Sequence, residues 1–139
     1  MPKKSAERPK LNPREKRNLE TEIGFMEGIV LRDPGYVDAL QILGDDYTKD
    51  GRFLDGLVVD ERLSKLRPND ALIQYNLACS YSLTKLYQNA AQAIERAIDL
   101  GYSDFRWISR DPDLRSLRRT NHFKRIRAKI EAAKTKSAP

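Results

Sequence analysis

Apolar positions recur along most of this chain with the period of a helix. Leu19, Ile23, Met26 and Val30 follow one another at spacings of four, three and four, and Ile29 widens the same stripe. That spacing predicts one amphipathic helix over residues 13 to 32, started by Pro13 after Asn12 and broken at Asp33-Pro34-Gly35. Val37, Leu40, Leu43, Gly44 and Tyr47 keep the helical spacing across 36 to 49, and Asp50-Gly51 supplies a helix-ending glycine. A third helix is expected over about 52 to 66, stopped by Arg67-Pro68-Asn69-Asp70. Two more follow at 71 to 84, with Ile73, Leu77, Ala78 and Tyr81 on one face, and at 87 to 100, with Ala90, Ala93, Ile94, Ala97 and Ile98. Asp111-Pro112 caps a short helix carrying Leu114 and Leu117, and Asn121 precedes a last one carrying Phe123, Ile126 and Ile130. Strands are not expected: β-branched clusters are short, and Asp50-Gly51 lies between helical patterns rather than alternating ones. Helices of about 12 to 15 residues or fewer are marginal alone, so these must pack on one another.

The five longer predicted helices are not independent. Shifting the sequence by 34 residues places Pro34 on Pro68, Leu43 on Leu77, Gly44 on Ala78, Tyr47 on Tyr81, Gly56 on Ala90 and Leu63 on Ala97. Small residues recur where two helices must approach closely and large ones where a gap must be filled, so one helix–turn–helix unit is used twice. Leu40, Leu43-Gly44, Tyr47, Gly56 and Pro68, then Gln74, Leu77-Ala78, Tyr81, Ala90, Ile94, Ala97 and Tyr102, resemble the signature of the tetratricopeptide repeat family. Three positions depart from it: Gln74 stands for a large residue, Asp60 for an aromatic and Tyr102 for the proline.

The resemblance covers residues 37 to 104 and implies an all-α fold, a short right-handed α-solenoid of antiparallel helix pairs. Helix 13–32 ends in the Leu-Arg-Asp-Pro style that closes the first repeat at Leu66-Arg67-Pro68, so it looks like the second helix of a preceding half-repeat. The tail from Gly101 through Trp107, Asp111-Pro112-Asp113-Leu114, Leu117-Arg118 and Phe123 resembles the module that terminates many bacterial tetratricopeptide arrays. A terminal repeat exposes an apolar face and needs such a cap, with Trp107, Leu114, Leu117, Phe123 and Ile126 as the covering residues. The organisation expected is a disordered basic tail over 1–11, a half-repeat helix over 12–33, two repeats over 34–104, a helical cap over 105–133 and a disordered tail over 134–139.

Candidate chemistry changes the picture little. The single cysteine, Cys79, and the single histidine, His122, cannot build a zinc site, and a glycine-rich phosphate loop and the common hydrolase motifs are absent from the sequence. Adjacent acids such as Asp45-Asp46 and Asp60-Glu61 diverge by about 100° on a helix and do not converge on one proton or metal. The expectation is a non-enzymatic chain with no cofactor and no metal. Its longest apolar runs are far below the roughly 20 residues that span a bilayer, and the basic start Met1-Pro2-Lys3-Lys4 leads into Glu7-Arg8-Pro9 rather than a signal core. A cytoplasmic location is the corresponding expectation.

Function is sought on the concave face, which in this family is lined by the first helix of each pair. The resemblance assigns Asp38, Gln41, Asp45 and Lys49 from one repeat and Leu72, Tyr75, Asn76, Cys79 and Leu83 from the next to that face, with Arg106 and Arg110 at its edge. Some members grip a terminal carboxylate with five basic and amide residues. The matching positions here are Gln41, Asp45, Asn76, Arg106 and Arg110, of which Asp45 would repel a carboxylate. The implied function is a scaffold or adaptor that binds a peptide or partner helix in the groove, with Arg106 and Arg110 holding an acidic group. Dimerisation through an exposed helix is a further option.

Charge supplies the alternative. The net charge is +6, but residues 1 to 20 carry 7 basic and 3 acidic side chains, residues 21 to 104 carry 8 and 14, and residues 105 to 139 carry 11 and 3. An acidic middle is flanked by basic ends. Arg115, Arg118, Arg119, Lys124, Arg125, Arg127 and Lys129 make the second reading a basic accessory protein that contacts RNA or the ribosome through its C-terminal helix, or else a helix that docks on the protein's own acidic middle.

Overall fold

The computed structural model describes residues 10 to 137, and among them every regular element is helical. Helix α1 spans Pro13–Arg32, α2 Val37–Lys49, α3 Phe53–Leu66, α4 Ala71–Leu83 and α5 Tyr87–Asp99. A one-turn helix α6 (Phe105–Ile108), a 3-10 turn (Pro112–Leu114), a short α7 (Arg115–Arg118) and α8 (Phe123–Ser137) complete the chain. The architecture is a short tetratricopeptide-like solenoid, α2/α3 and α4/α5 forming two antiparallel pairs. Residues 1–9 of the expected N-terminal tail lie outside the described residues. The expected boundary at 133 is passed, because α8 continues to Ser137.

Local signals explain the ends. The Asn12 side chain accepts from the Glu15 backbone N–H at 2.8 Å, and the Glu15 carboxylate accepts from the Asn12 N–H at 3.0 Å, a reciprocal cap ahead of Pro13. Asp70 caps α4 by accepting from the Ile73 N–H. The turn inside each pair needs one left-handed residue: Gly51 has φ +78 in the first copy, and Lys85, 34 positions on, has φ 67 in the second. Close approach within the first pair requires Gly44, where an added Cβ would lie 3.1 Å from Asp60 Oδ1 and 3.3 Å from Val59 Cγ1.

The repeat extends beyond the two copies. The Tyr47 hydroxyl donates to Glu27, and 34 residues later the Tyr81 hydroxyl donates to Glu61 at 3.1 Å. Glu95, a further 34 residues along, instead receives Arg125 of α8 at 3.3 Å. Thus α1 occupies the place of a preceding second helix, and the terminal segment takes the place of a third pair. Two of the sequence's departures from the repeat pattern are structural replacements. Gln74 is buried and bridges three segments, donating to Ser64 Oγ at 2.8 Å and the Pro68 carbonyl at 3.2 Å while accepting from Arg96 at 3.2 Å. Tyr102 stacks on Tyr75 with ring centroids 4.3 Å apart.

The core forms in two parts. Leu19, Ile23, Met26 and Val30 of α1 pack with Leu40, Leu43 and Tyr47 of α2, and Leu11 joins them, so residue 11 is part of the fold rather than of a disordered tail. In the second part, Ile94 and Ala97 of α5 meet Ile108, Leu114, Leu117 and Ile126, all buried. Burial of each large aliphatic side chain stabilises by about 1.5 to 3 kcal/mol, which is why the end segment stays on α5. Arg118 secures it by donating to the carbonyls of Ile108 and Asp111 at 2.9 and 2.8 Å. One expected covering residue is not in this core. Trp107 remains 41% exposed, and its neighbour Ile108, about 100° around the same turn, takes the buried place.

Candidate functional site

The first helices α2 and α4 place side chains three and four residues apart along one side, and those sides converge. Between them lies a concavity of about 340 Å3, floored by residues of α3 and closed at one end by the segment after Gly101. Seven of the nine residues expected on the concave face line it, namely Gln41, Asp45, Leu72, Tyr75, Asn76, Cys79 and Leu83, whereas Asp38 and Lys49 do not. Asp45, Leu72 and Asn76 are exposed, Gln41 is half-buried, and Tyr75 and Cys79 are buried.

Tyr75 therefore differs from the docking residue expected of it. Its hydroxyl donates to Asp111 Oδ2 at 2.5 Å and its ring stacks on Tyr102, so it is a wall element fixed from behind. Burial, with Cys79 and Asp111 next, pushes its phenol well above the ordinary range, and burial pushes Tyr102 to about 12. Cys79 sits 3.6 Å from the same Asp111 oxygen, and burial first, then Asp111, drives its thiol well up. It is a buried residue of the wall.

Arg106 and Arg110 are not in the concavity. Both are exposed, and Arg106 borders a separate hollow with Phe105, Phe123 and Arg127 on the other side of the terminal segment. The reason is the single turn of α6: Asp104 accepts from the Trp107 N–H at 3.1 Å, and that cap points Trp107 at the concavity and Arg106 away from it. The edge expected to be basic is instead occupied by Trp107, Asp111 and Asp113.

The residues that sequence reasoning missed are thus Asp60, Trp107, Asp111 and Asp113. Asp60 carried a visible signal as the acid at an aromatic position of the repeat. It projects from α3 between α2 and α4, where the Ser80 hydroxyl donates to its Oδ2. Burial, moderated by that hydrogen bond and reinforced by Asp45, pushes its carboxyl from 3.8 to about 7. Asp111 was legible only as a helix cap, and it does accept from the Asp113 N–H at 2.9 Å. Its second task, holding Tyr75, required the tertiary fold.

Four aspartates therefore line the concavity, and among the described residues no lysine, arginine or histidine does. One candidate metal cluster, Cys79 with Asp111 and Asp113, brings its ligand atoms within 4.8 Å of one another. Both Asp111 oxygens already accept hydrogen bonds there, from the Tyr75 hydroxyl and the Asp113 N–H. No helix among the described residues is long and apolar enough to cross a membrane.

Comparison with known proteins bears on this geometry. No family model matches the chain. It is 37% identical over 83 residues to a chloroplastic protein of Arabidopsis thaliana, covering 58% of this chain and 25% of that protein. It is 36% identical over 103 residues to the "Peroxisomal targeting signal receptor" of Komagataella phaffii, covering 72% of this chain and 18% of the receptor. Similarity to the "PEX5-related protein" of Mus musculus is 30% over 100 residues, covering 72% and 16%. The chain spans a quarter or less of the length of each of these relatives.

Part of the basic charge near the C-terminus is engaged within the chain. In α8, Arg125 pairs with Glu95 at 3.3 Å, Lys129 with Asp99 at 2.8 Å, and Arg127 lies over the Phe123 ring at 4.8 Å; in α7, Arg118 is tied to backbone carbonyls. Two of the basic residues that suggested a nucleic-acid surface thus pair with the protein's own acidic middle.

Proposed function

We propose that this chain is a tetratricopeptide-type interaction module that holds a segment of a partner protein in the concavity between α2 and α4. The observation carrying this reading is the convergence of exposed Leu72, Asn76, Asp45 and Trp107 around one hollow. An apolar residue that the core does not need stands there beside an amide that both donates and accepts. The two-pair fold with a closed end supports it, as does similarity to proteins named as receptors of a targeting signal. The action is binding without chemistry: Asp111 holds Tyr75 and Cys79, and Asp60 holds Ser80. Two of the six basic residues of α8, Arg125 and Lys129, are paired with Glu95 and Asp99, which leaves less of that helix's charge for RNA.

The test is site-specific photo-crosslinking. A benzophenone side chain at position 72 should cross-link a protein partner in extract of the source cells, and Asn76→Ala should diminish the adduct. The same group at position 124 on α8 should give neither that protein adduct nor an RNA adduct. Cross-linking from 124 alone would transfer the function to the basic helix.

A further inference from the structure

The concavity has a charge opposite to that of the chain as a whole, and one of its acids is built in an unusual way. Asp60 is only 8% exposed. Its Oδ2 accepts from Ser80, but its Oδ1 accepts no hydrogen bond among the described residues and lies on the floor of the hollow beside Gly44. That oxygen opens to the hollow, where an incoming donor would pair with it. Asp45, whose Oδ2 pairs with Lys49 at 3.0 Å, lines the same hollow, as do Asp111, Asp113 and Trp107.

We propose that this concavity is the receiving site for a cationic side chain, an arginine or lysine of the partner segment, whose donors reach Asp60 Oδ1 and Asp45 while its stem lies against Leu72 and Trp107. The inference rests on the groove reading above and replaces the acidic ligand group that Arg106 and Arg110 had suggested. Charge complementarity commits the occupant: a carboxylate would enter a wall of four acids, whereas a guanidinium would meet carboxylate oxygens and an indole face together. A hollow of about 340 Å3 accepts one long side chain, not a folded element. The +6 net charge of the chain repels a polycation at long range, so binding of one would have to come from local contacts in the groove.

Trp107 is the single tryptophan and reports on the site directly. The experiment titrates the full chain with three end-blocked hexapeptides, of arginine, glutamate and serine, and follows Trp107 emission. Hexa-arginine should give a saturable change that weakens with added salt and loses tenfold or more of its affinity in Asp45→Asn/Asp60→Asn. Asp55→Asn, on the opposite face, should leave it unchanged. Because Asp60 is buried, Asp45→Asn alone serves as a surface variant that keeps the fold, with a loss of threefold or more expected. Equal affinity in these variants, or a saturable response to hexaglutamate, overturns the cationic site. If hexaglutamate or hexaserine binds and Leu72→Ala/Asn76→Ala weakens it, the groove reading survives without its cation. If no peptide moves Trp107 and position 72 yields no cross-link, both fall.

Discussion

Replacing Asp60 by asparagine separates the energetic cost of this buried acid from its shape. The folded protein raises the Asp60 carboxyl from 3.8 to about 7, burial first and Asp45 in the same direction, with the Ser80 hydroxyl opposing. The groups that act on it are Asp45 from α2, itself paired with Lys49 at 3.0 Å, and the Ser80 hydroxyl from α4. A carboxyl whose folded value is raised binds its proton more tightly when folded. Its contribution to stability is therefore fully present below about pH 4 and is lost as the pH climbs through about 7. Roughly three units at about 1.4 kcal/mol each set a ceiling near 4 kcal/mol, and water reaching Oδ1 reduces the realised part to about 1 to 3 kcal/mol. Asparagine has the same outline, carries no charge and still accepts from Ser80. In urea unfolding followed by helical circular dichroism, Asp60→Asn should match the parent near pH 4 and exceed it progressively up to pH 8. At about 2 to 4 °C per kcal/mol its melting temperature at pH 8 should stand several degrees higher. A difference that does not vary between pH 4 and pH 8, or a variant less stable at pH 8, would refute the argument.

Other outcomes follow from the same contacts. Lys85 occupies the left-handed turn position that Gly51 fills in the first repeat, so Lys85→Gly should raise thermal stability by about 0.5 to 1 kcal/mol, the relief of strain less the entropy of glycine. Asp46 is buried with Oδ2 unpartnered, and burial followed by Glu22 raises its carboxyl to about 6; Asp46→Ala should stabilise the protein above pH 6 by about 1 to 3 kcal/mol in chemical denaturation and lose that gain below pH 4. Tyr75→Phe removes the hydroxyl held by Asp111 and should cost about 1 to 3 kcal/mol while loosening the terminal segment, visible as faster amide exchange at Asp111 to Leu117. Truncation after Gly101 removes Ile108, Leu114, Leu117 and Ile126 from α5 and should give loss of cooperative unfolding or aggregation by light scattering.

The helices were legible because their signals are local. Pro13 and Asn12, Asp33-Pro34 and Asp70 start or stop segments through contacts three or four residues long, and the observed bounds of α1 to α5 differ from the expected ones by at most one residue. The 34-residue period was equally legible, since small residues at 44, 56, 78 and 90 report close helix approach whatever surrounds them. In the candidate site, the side of α2 and α4 that faces the hollow came from the resemblance to the repeat family. Tyr75 and Cys79 lay on that side too, but their burial depended on a partner, Asp111, 36 and 32 residues away.

What the sequence determined by itself is the set of helices and their pairing, because those depend on periodicity and on caps within a few residues. What the tertiary structure decided is the sign of the groove. The rotation of the one-turn helix α6 sends Trp107 inward and Arg106 outward, and the packing of the terminal segment on α4 brings Asp111 against Tyr75. Neither placement leaves a periodic trace, since a single turn is too short to have a face and a side chain's long-range partner is set by how whole segments stack. Composition made the C-terminal region basic. Only folding turned its arginines toward α5, its own backbone and solvent, and its acids toward the concavity.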